Sequence, residues 1–246
     1  MSGSPKRGII FSVGAFHPAH FLDAVKQHLE NDQSFDLVLV SKHPSLGRDS
    51  RGKTLWDDVE ALREQMTPHA DAGCEFVVVG HSYGGFPAFE ATEGWTVAER
   101  AAAGKKAIGV FEEGKELVYP PFFNHGPIGE KGHLIYPSDT SKQSFYNDVD
   151  NDRADELWDT LVPHSQEAIE TPVNYTVTDA DIPFFYIITE KDQTVPPEIQ
   201  RNVAAVIPRC TVFSIDAGHS AFISKPVRFV ELLQHIAGEV FSADTR

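Results

Sequence analysis

Residues 75–90 read EFVVVGHSYGGFPAFE, with Ser82 bracketed by Gly80 and Gly84. A strand-forming run precedes the serine and a segment of helical composition follows it. Glycines on both sides leave room for a strand-to-helix turn too tight for a Cβ. Such a turn lifts a hydroxyl above the end of the strand, where backbone N–H groups can face developing negative charge. These residue types suit nucleophilic catalysis, with Ser82 attacking and the Tyr83 N–H receiving an oxyanion. The competing reading is a structural glycine-rich turn, and Pro87 early in the following helix is merely tolerated there.

A serine needs a base, and the base needs a carboxylate to orient it. The run SIDAGHSAFISKP puts His219 in a loop beyond the last strand-like segment, whereas His235 falls inside the expected final helix. Upstream, TEKDQTVPPEIQ follows a strand-like run and offers Glu190 and Asp192. Asp192 lies further past the strand end, in a turn ahead of a helix starting near Pro196, and is the favoured acid. Glu190 is the alternative. Asp216 is a weaker rival, because it ends the same strand that presents His219. A second oxyanion donor is expected from SVGAFHPAHF (12–21), at the Ala15 N–H or at its neighbour Gly14. His17 and His20 in that loop are either substrate contacts or local hydrogen-bonding groups at a helix start.

Elements that could hold these residues are visible along the chain. GIIFSV (8–13), FDLVLV (35–40), EFVVVG (75–80) and IPFFYII (182–188) are continuous apolar runs, with KAIGVF (106–111) and CTVFSI (210–215) weaker ones. Continuous hydrophobicity predicts strands covered on both faces. Between them, Phe21, Leu22, Val25 and Leu29 share one helical face in 19–30, and Leu55, Val59, Leu62 and Met66 another in 54–66. A final helix is expected over 226–240. The alternation predicts an α/β fold with a mostly parallel sheet of about six strands flanked by helices. Residues 112–180 break the rhythm. They are too long for a plain loop and rich in aromatics, so they read as an inserted cap within one domain spanning 1–246.

With 246 residues, 41% hydrophobic and 23% charged, the chain has the composition of an ordinary globular protein. Its net charge of −15 argues against a nucleic-acid partner. No apolar run approaches the roughly 20 residues needed to span a bilayer, so no membrane role is expected. The only two cysteines, Cys74 and Cys210, lack ligand spacing and are expected as reduced thiols, with no metal and a cytoplasmic setting. Oligomeric state is open, a homodimer being one option.

Taken together, VGAFHPAHF, VVVGHSYGG, TEKDQTVPPEIQ and AGHSAFISKP resemble the α/β-hydrolase superfamily. The branch most similar contains plant methylesterases, hydroxynitrile lyases and bacterial and fungal esterase-like proteins. The resemblance implies Ser82 as nucleophile, Asp192 as acid, His219 as base, Ala15 and Tyr83 as oxyanion amides, a cap over the pocket, and no cofactor. Two departures bear on activity: Gly14 stands where the lyases carry Thr, and Ser220 where they carry Lys after the base. Both discount cyanohydrin cleavage. Val13 stands where the methylesterases carry His, which removes support for their substrate preference.

The favoured function is hydrolysis of an ester or lactone of a small apolar or aromatic molecule. Gly14, Phe16, His17, Phe122, Phe123, Tyr136 and Trp158 are the candidate substrate contacts, although aromatics in a cap more often pack the cap itself. His125, His133 and His164 are either polar specificity contacts or, as the favoured reading, solvated surface histidines. A lyase, cyclase or C–C bond hydrolase using the same triad is the alternative, and a small-ligand receptor a third class.

Overall fold

The computed structural model describes residues 6–95, 123–175 and 182–243. In chain order these form β1 (Lys6–Ser12), α1 (Asp23–Asp32), β2 (Leu37–Val40), α2 (Leu55–Asp71), β3 (Cys74–Gly80) and α3 (Gly85–Glu90). Then come β4 (Phe123–Asn124), β5 (Leu134–Pro137), α4 (Ser141–Tyr146), α5 (Asn151–Asp159), β6 (His164–Ser165) and α6 (Gln166–Glu170). The chain continues with β7 (Phe184–Thr189), α7 (Pro197–Val206), β8 (Cys210–Ile215), α8 (Ala221–Ser224) and α9 (Pro226–Ala243). The strand expected over 106–111 lies outside the described residues. The elements fall into two compact units, one of Met1–Ala19, Phe35–Ser138 and Leu161–Ala180, the other of His20–Ser34, Asp139–Thr160 and Asp181–Arg246.

In the first unit the strand order is β2-β1-β3, all parallel, with Ile9 opposite Val38 on one side and Val77 on the other. The central strand is the most buried of the three, with Ile9, Ile10 and Phe11 inside. Helix α2 is capped by Thr54, whose N–H donates to the Asp57 carboxylate at 2.8 Å, a reciprocal cap of about 1 kcal/mol. The helix runs through Pro68 and ends beyond the expected 54–66, at Asp71. It buries Leu55, Val59, Leu62 and Met66 and, on the same stripe, Asp58.

The second unit is built on β7 and β8, paired in parallel from Phe184–Cys210 to Thr189–Ile215. Ile215, Ala217, Ala221 and Leu232 form its core cluster, with Ile187, Phe213 and Phe229 packed against it. Val25 and Leu29, one turn apart on α1, are fully buried, and α1 packs on α9. Unlike a strand covered on both faces, β8 leaves Val212 47% exposed.

The described residues of the segment expected as a cap form short elements. Asp150 caps α5 by accepting the N–H groups of Asp152 and Arg153 at 3.0 and 3.4 Å. The helix stops at Asp159, and Pro163 precedes the short strand β6. β4, β5 and β6 pair antiparallel in the first unit. α4 and α5 belong to the second.

Candidate active site

Ser82 sits at the corner between β3 and α3 with φ of 53°, in the left-handed region that costs a non-glycine residue about 1–2 kcal/mol. The glycines around it are fixed by backbone clearance. A Cβ on Gly80 would lie 2.5 Å from the Gly85 Cα, and one on Gly84 would run into the Ser12 and Val13 carbonyl oxygens. The His81 N–H donates to the Ser12 carbonyl at 3.1 Å, and the Gly84 N–H to His81 at 2.8 Å. The end of β1 is thereby pressed against the corner. Ser82 is exposed while Tyr83 beside it is buried.

The loop after β1 belongs to the same unit. Gly14 has no Cβ where one would meet the His81 ring at 2.6 Å. The Ala15 carbonyl accepts a 2.7 Å hydrogen bond from His17 Nδ1, which fixes that ring's tautomer, and His17 lies edge-on to His81 at 5.9 Å. Phe16 has φ of 67° and is fully buried, edge-on to Phe123 at 5.1 Å and to His164 at 6.2 Å. Its carbonyl accepts the Val162 N–H at 3.0 Å. Phe123 is half-buried, and Tyr136, opposite Asn124 in the register, is 44% exposed. Phe122 lies outside the described residues.

Asp192 and His219 come together in the second unit. Oδ2 of Asp192 accepts from His219 Nδ1 at 2.9 Å, from Thr189 Oγ1 at 2.9 Å and from Gln200 Nε2 at 3.2 Å. Oδ1 takes the Thr194 and Val195 N–H groups at 2.7 and 2.9 Å. Burial alone would raise this carboxyl. The bond and charge of His219, then the two loop amides, outweigh it and hold Asp192 below the usual carboxylate value. An ionised Asp192 on Nδ1 makes Nε2 the basic nitrogen of His219. The rival carboxylates are engaged elsewhere: Glu190 pairs with Arg201 at 2.5 Å, and Asp216 with Lys191 at 2.7 Å. His235 pairs with Glu239 at 3.1 Å.

The segment between α4 and α5 braces both loops of this pair. Asp148 Oδ2 accepts the Gly218 N–H at 2.7 Å, and Asn147 Nδ2 donates to the Lys191 carbonyl at 2.9 Å. The Phe145 ring stacks on His219 at 5.8 Å. A Cβ on Gly218 would meet the ends of the Asn147 and Asp148 side chains, which would have to shift. Trp158 is half-buried on α5. Its neighbour Leu157 lines a cavity of about 290 Å³ with Phe21, Asp148, Arg153 and Phe222.

Sequence reasoning passed over this brace, and over Asp58 and His164. Asp58 carried a signal, being a carboxylate on the apolar face of α2. His164, expected as a solvated histidine, is fully buried, and burial pushes its pKa down to about 3. His125 and His133 make local contacts, with the Gly126 carbonyl at 2.7 Å and Glu130 at 3.4 Å, and His20 packs on Phe21. Among the described residues no cluster of His, Cys, Asp and Glu is arranged to hold a metal ion, and no helix is long and apolar enough to cross a membrane.

The fold points to a class. Residues 9–232 match the model of the alpha/beta hydrolase family, and the chain belongs to that family. It is similar along nearly its whole length to the alpha/beta hydrolase nvfD of Aspergillus novofumigatus, 26% identical over 95% of this chain and 98% of that protein. A probable hydrolase R7 of a Phoma species is 28% identical over 75% of this chain and 79% of its own length. Among solved structures, the methylesterase MES16 from Arabidopsis superposes with a TM-score of 0.70 at 17% identity, covering 94% of this chain and 98% of that one. That likeness is one of fold.

Proposed function

We propose that the protein is a serine hydrolase that cleaves an ester or lactone of a small apolar or aromatic molecule by acyl transfer through Ser82. The observation that carries the reading is the buried Asp192–His219 pair at 2.9 Å. A carboxylate whose remaining valences are filled by Thr189, Gln200 and two loop amides has one task left, to orient a histidine. In this family the partner of such a histidine is the corner serine, which here is Ser82.

In this reading His219 Nε2 takes the Ser82 proton as Oγ attacks the carbonyl carbon. The Tyr83 and Ala15 amides receive the oxyanion, each worth about 3–4 kcal/mol of barrier. Collapse expels the alcohol oxygen, which takes the proton from His219, and water then releases the acid with His219 as base again. Buried aromatic rings beside the loop after β1 favour an apolar acyl or alcohol group. The names of the fungal relatives, both hydrolases, agree with this class.

The test is intact mass after treatment with a fluorophosphonate. Wild type is expected to gain one adduct, with none on Ser82→Ala or His219→Ala and turnover of p-nitrophenyl esters following the same pattern. A folded wild type that takes no adduct sinks the proposal.

A further inference from the structure

Behind the corner, the first unit carries a polar cluster that the acyl-transfer chemistry does not itself use. Asp58 is fully buried at its centre. Its Oδ2 accepts the Tyr83 hydroxyl at 2.6 Å and the Ser45 hydroxyl at 2.5 Å, while Oδ1 takes the Ser45 N–H at 2.9 Å. Ser45 Oγ is 2.7 Å from His164 Nε2, and since its own proton goes to Asp58 it accepts there. On the other side, His43 Nδ1 lies 3.4 Å from Asp58 Oδ2, close but not aligned for a hydrogen bond. The Nε2 of the same ring meets Ser12 Oγ at 3.1 Å. Burial would raise the Asp58 carboxyl, but His43, Ser45 and Tyr83 together hold it below the ordinary value, as an anion.

One end of this cluster is the residue whose peptide faces an oxyanion in the proposed reaction, and the other lies near the loop that offers the second donor. Tyr83 follows the nucleophile and offers the first N–H. Ser12 ends β1 immediately before the Gly14–Ala15 loop, which offers the second. A backbone N–H has no adjustable torsion of its own, because the peptide plane sets its direction. The Tyr83 side chain is a stiff lever on that plane: its ring lies edge-on to His164 at 4.4 Å, and its hydroxyl is clamped by a charged acceptor. Ser82 holds a left-handed backbone next to it, so the corner is held by its surroundings rather than by local preference.

We infer that Asp58 is the positioning residue of the oxyanion hole, holding the Tyr83 amide through the tyrosine hydroxyl. This rests on Ser82 acting as the nucleophile. Asp58 touches neither substrate nor reacting atoms; it sets where the Tyr83 N–H points.

The experiment compares wild type, Tyr83→Phe, Asp58→Asn and the double variant on p-nitrophenyl butyrate and on an alkylthio trifluoromethyl ketone. The ketone reads the oxyanion hole directly: Ser82 Oγ bonds to its carbonyl carbon, the serine proton passes to His219, and the former carbonyl oxygen becomes the anion. Tyr83→Phe removes one hydroxyl and is expected to lower kcat about tenfold or more, part of the loss seen when a donor is deleted outright. KM should stay within about twofold, and ketone affinity should fall by the same factor as kcat. Asp58→Asn is expected to match it, and the double variant to add little, as for partners in one interaction. If Asp58→Asn fails to fold, Tyr83→Phe alone decides. A folded Tyr83→Phe with wild-type kcat and ketone affinity overturns the inference and leaves the hydrolase reading intact, as does a loss confined to KM. A wild type that neither turns over the ester nor adds to the ketone overturns both.

Discussion

The two units hold their candidate site residues in different ways. In the first, the Ser82 corner is set by what is missing: Gly80, Gly84 and Gly14 stand where a Cβ would meet backbone or the His81 ring. In the second, the Asp192–His219 pair is set by what is present, five hydrogen bonds on one carboxylate and a brace from Asn147 and Asp148. Backbone clearances are all-or-none, because neither neighbour can rotate away. Side-chain hydrogen bonds are graded, because a substitute atom or a water can replace part of each. Substitutions in the first unit should therefore fail abruptly, and those in the second by steps.

The sharpest contrast is between adjacent glycines. Gly84→Ala drives a methyl into the Ser12 and Val13 carbonyls and should cost about 3 kcal/mol, the upper end for overpacking, since backbone must move. Ester turnover should be lost with it. Gly85 has open space at its Cβ position and a right-handed φ of −62°. Gly85→Ala should therefore stabilise by about 0.4–1 kcal/mol through the unfolded chain. Urea unfolding of the two variants checks this, and equal midpoints would break the clearance argument.

The buried histidine of the first unit gives the next effect. Burial holds His164 neutral, outweighing Asp58, which favours its charged form, while His43 disfavours that form as well. Between the ordinary imidazole value of 6.5 and the folded value of about 3, the unfolded chain binds a proton that the folded one does not. Stability therefore rises with pH in this window and is lost as pH falls, at up to about 1.4 kcal/mol per unit for one proton. Glu90 pulls the other way, since burial raises its carboxyl despite the Tyr175 and Asn174 amides. The informative quantity is thus the difference between wild type and His164→Gln. Denaturant unfolding from pH 6.5 to 4.5 should show the steeper slope in wild type, and parallel curves would refute the assignment.

What was legible in the chain divides along the same lines. Central strands of α/β sheets are apolar throughout, so GIIFSV and EFVVVG announced themselves, and the glycines flanking Ser82 gave the corner its signature. The Asp192–His219 pairing was readable because each residue follows its own strand in β7 and β8. The two-residue strands β4 and β6 are too short to carry a period, and β6 is made of a histidine and a serine. Asp58 was a local conflict, a charge on an apolar stripe, which marks a site without naming its partners. Tyr83 and Ser45 reach it only through tertiary folding. Asp148 had no signal at all, since it is one acid among many in NDVDNDRADE and meets Gly218 from 70 residues away.

That brace gives the smallest effect and the finest test of graded behaviour. Asp148 Oδ2 accepts the Gly218 N–H beside His219, while Asn147 holds the Lys191 carbonyl beside Asp192, so the two residues set the spacing of the loops that carry the pair. Asp148→Ala removes the acceptor and lets the His219 loop drift, which should lower kcat about tenfold with little change in KM, as for a modest misplacement of a catalytic group. Asp148→Asn keeps an oxygen in the same place and should recover most of that loss, within about threefold of wild type. Steady-state kinetics on a p-nitrophenyl ester decides between geometry and charge. An Asn variant as impaired as the Ala variant would mean that the carboxylate acts through its charge on His219, and the second unit would then resemble the first, with an anion at its centre as Asp58 is there.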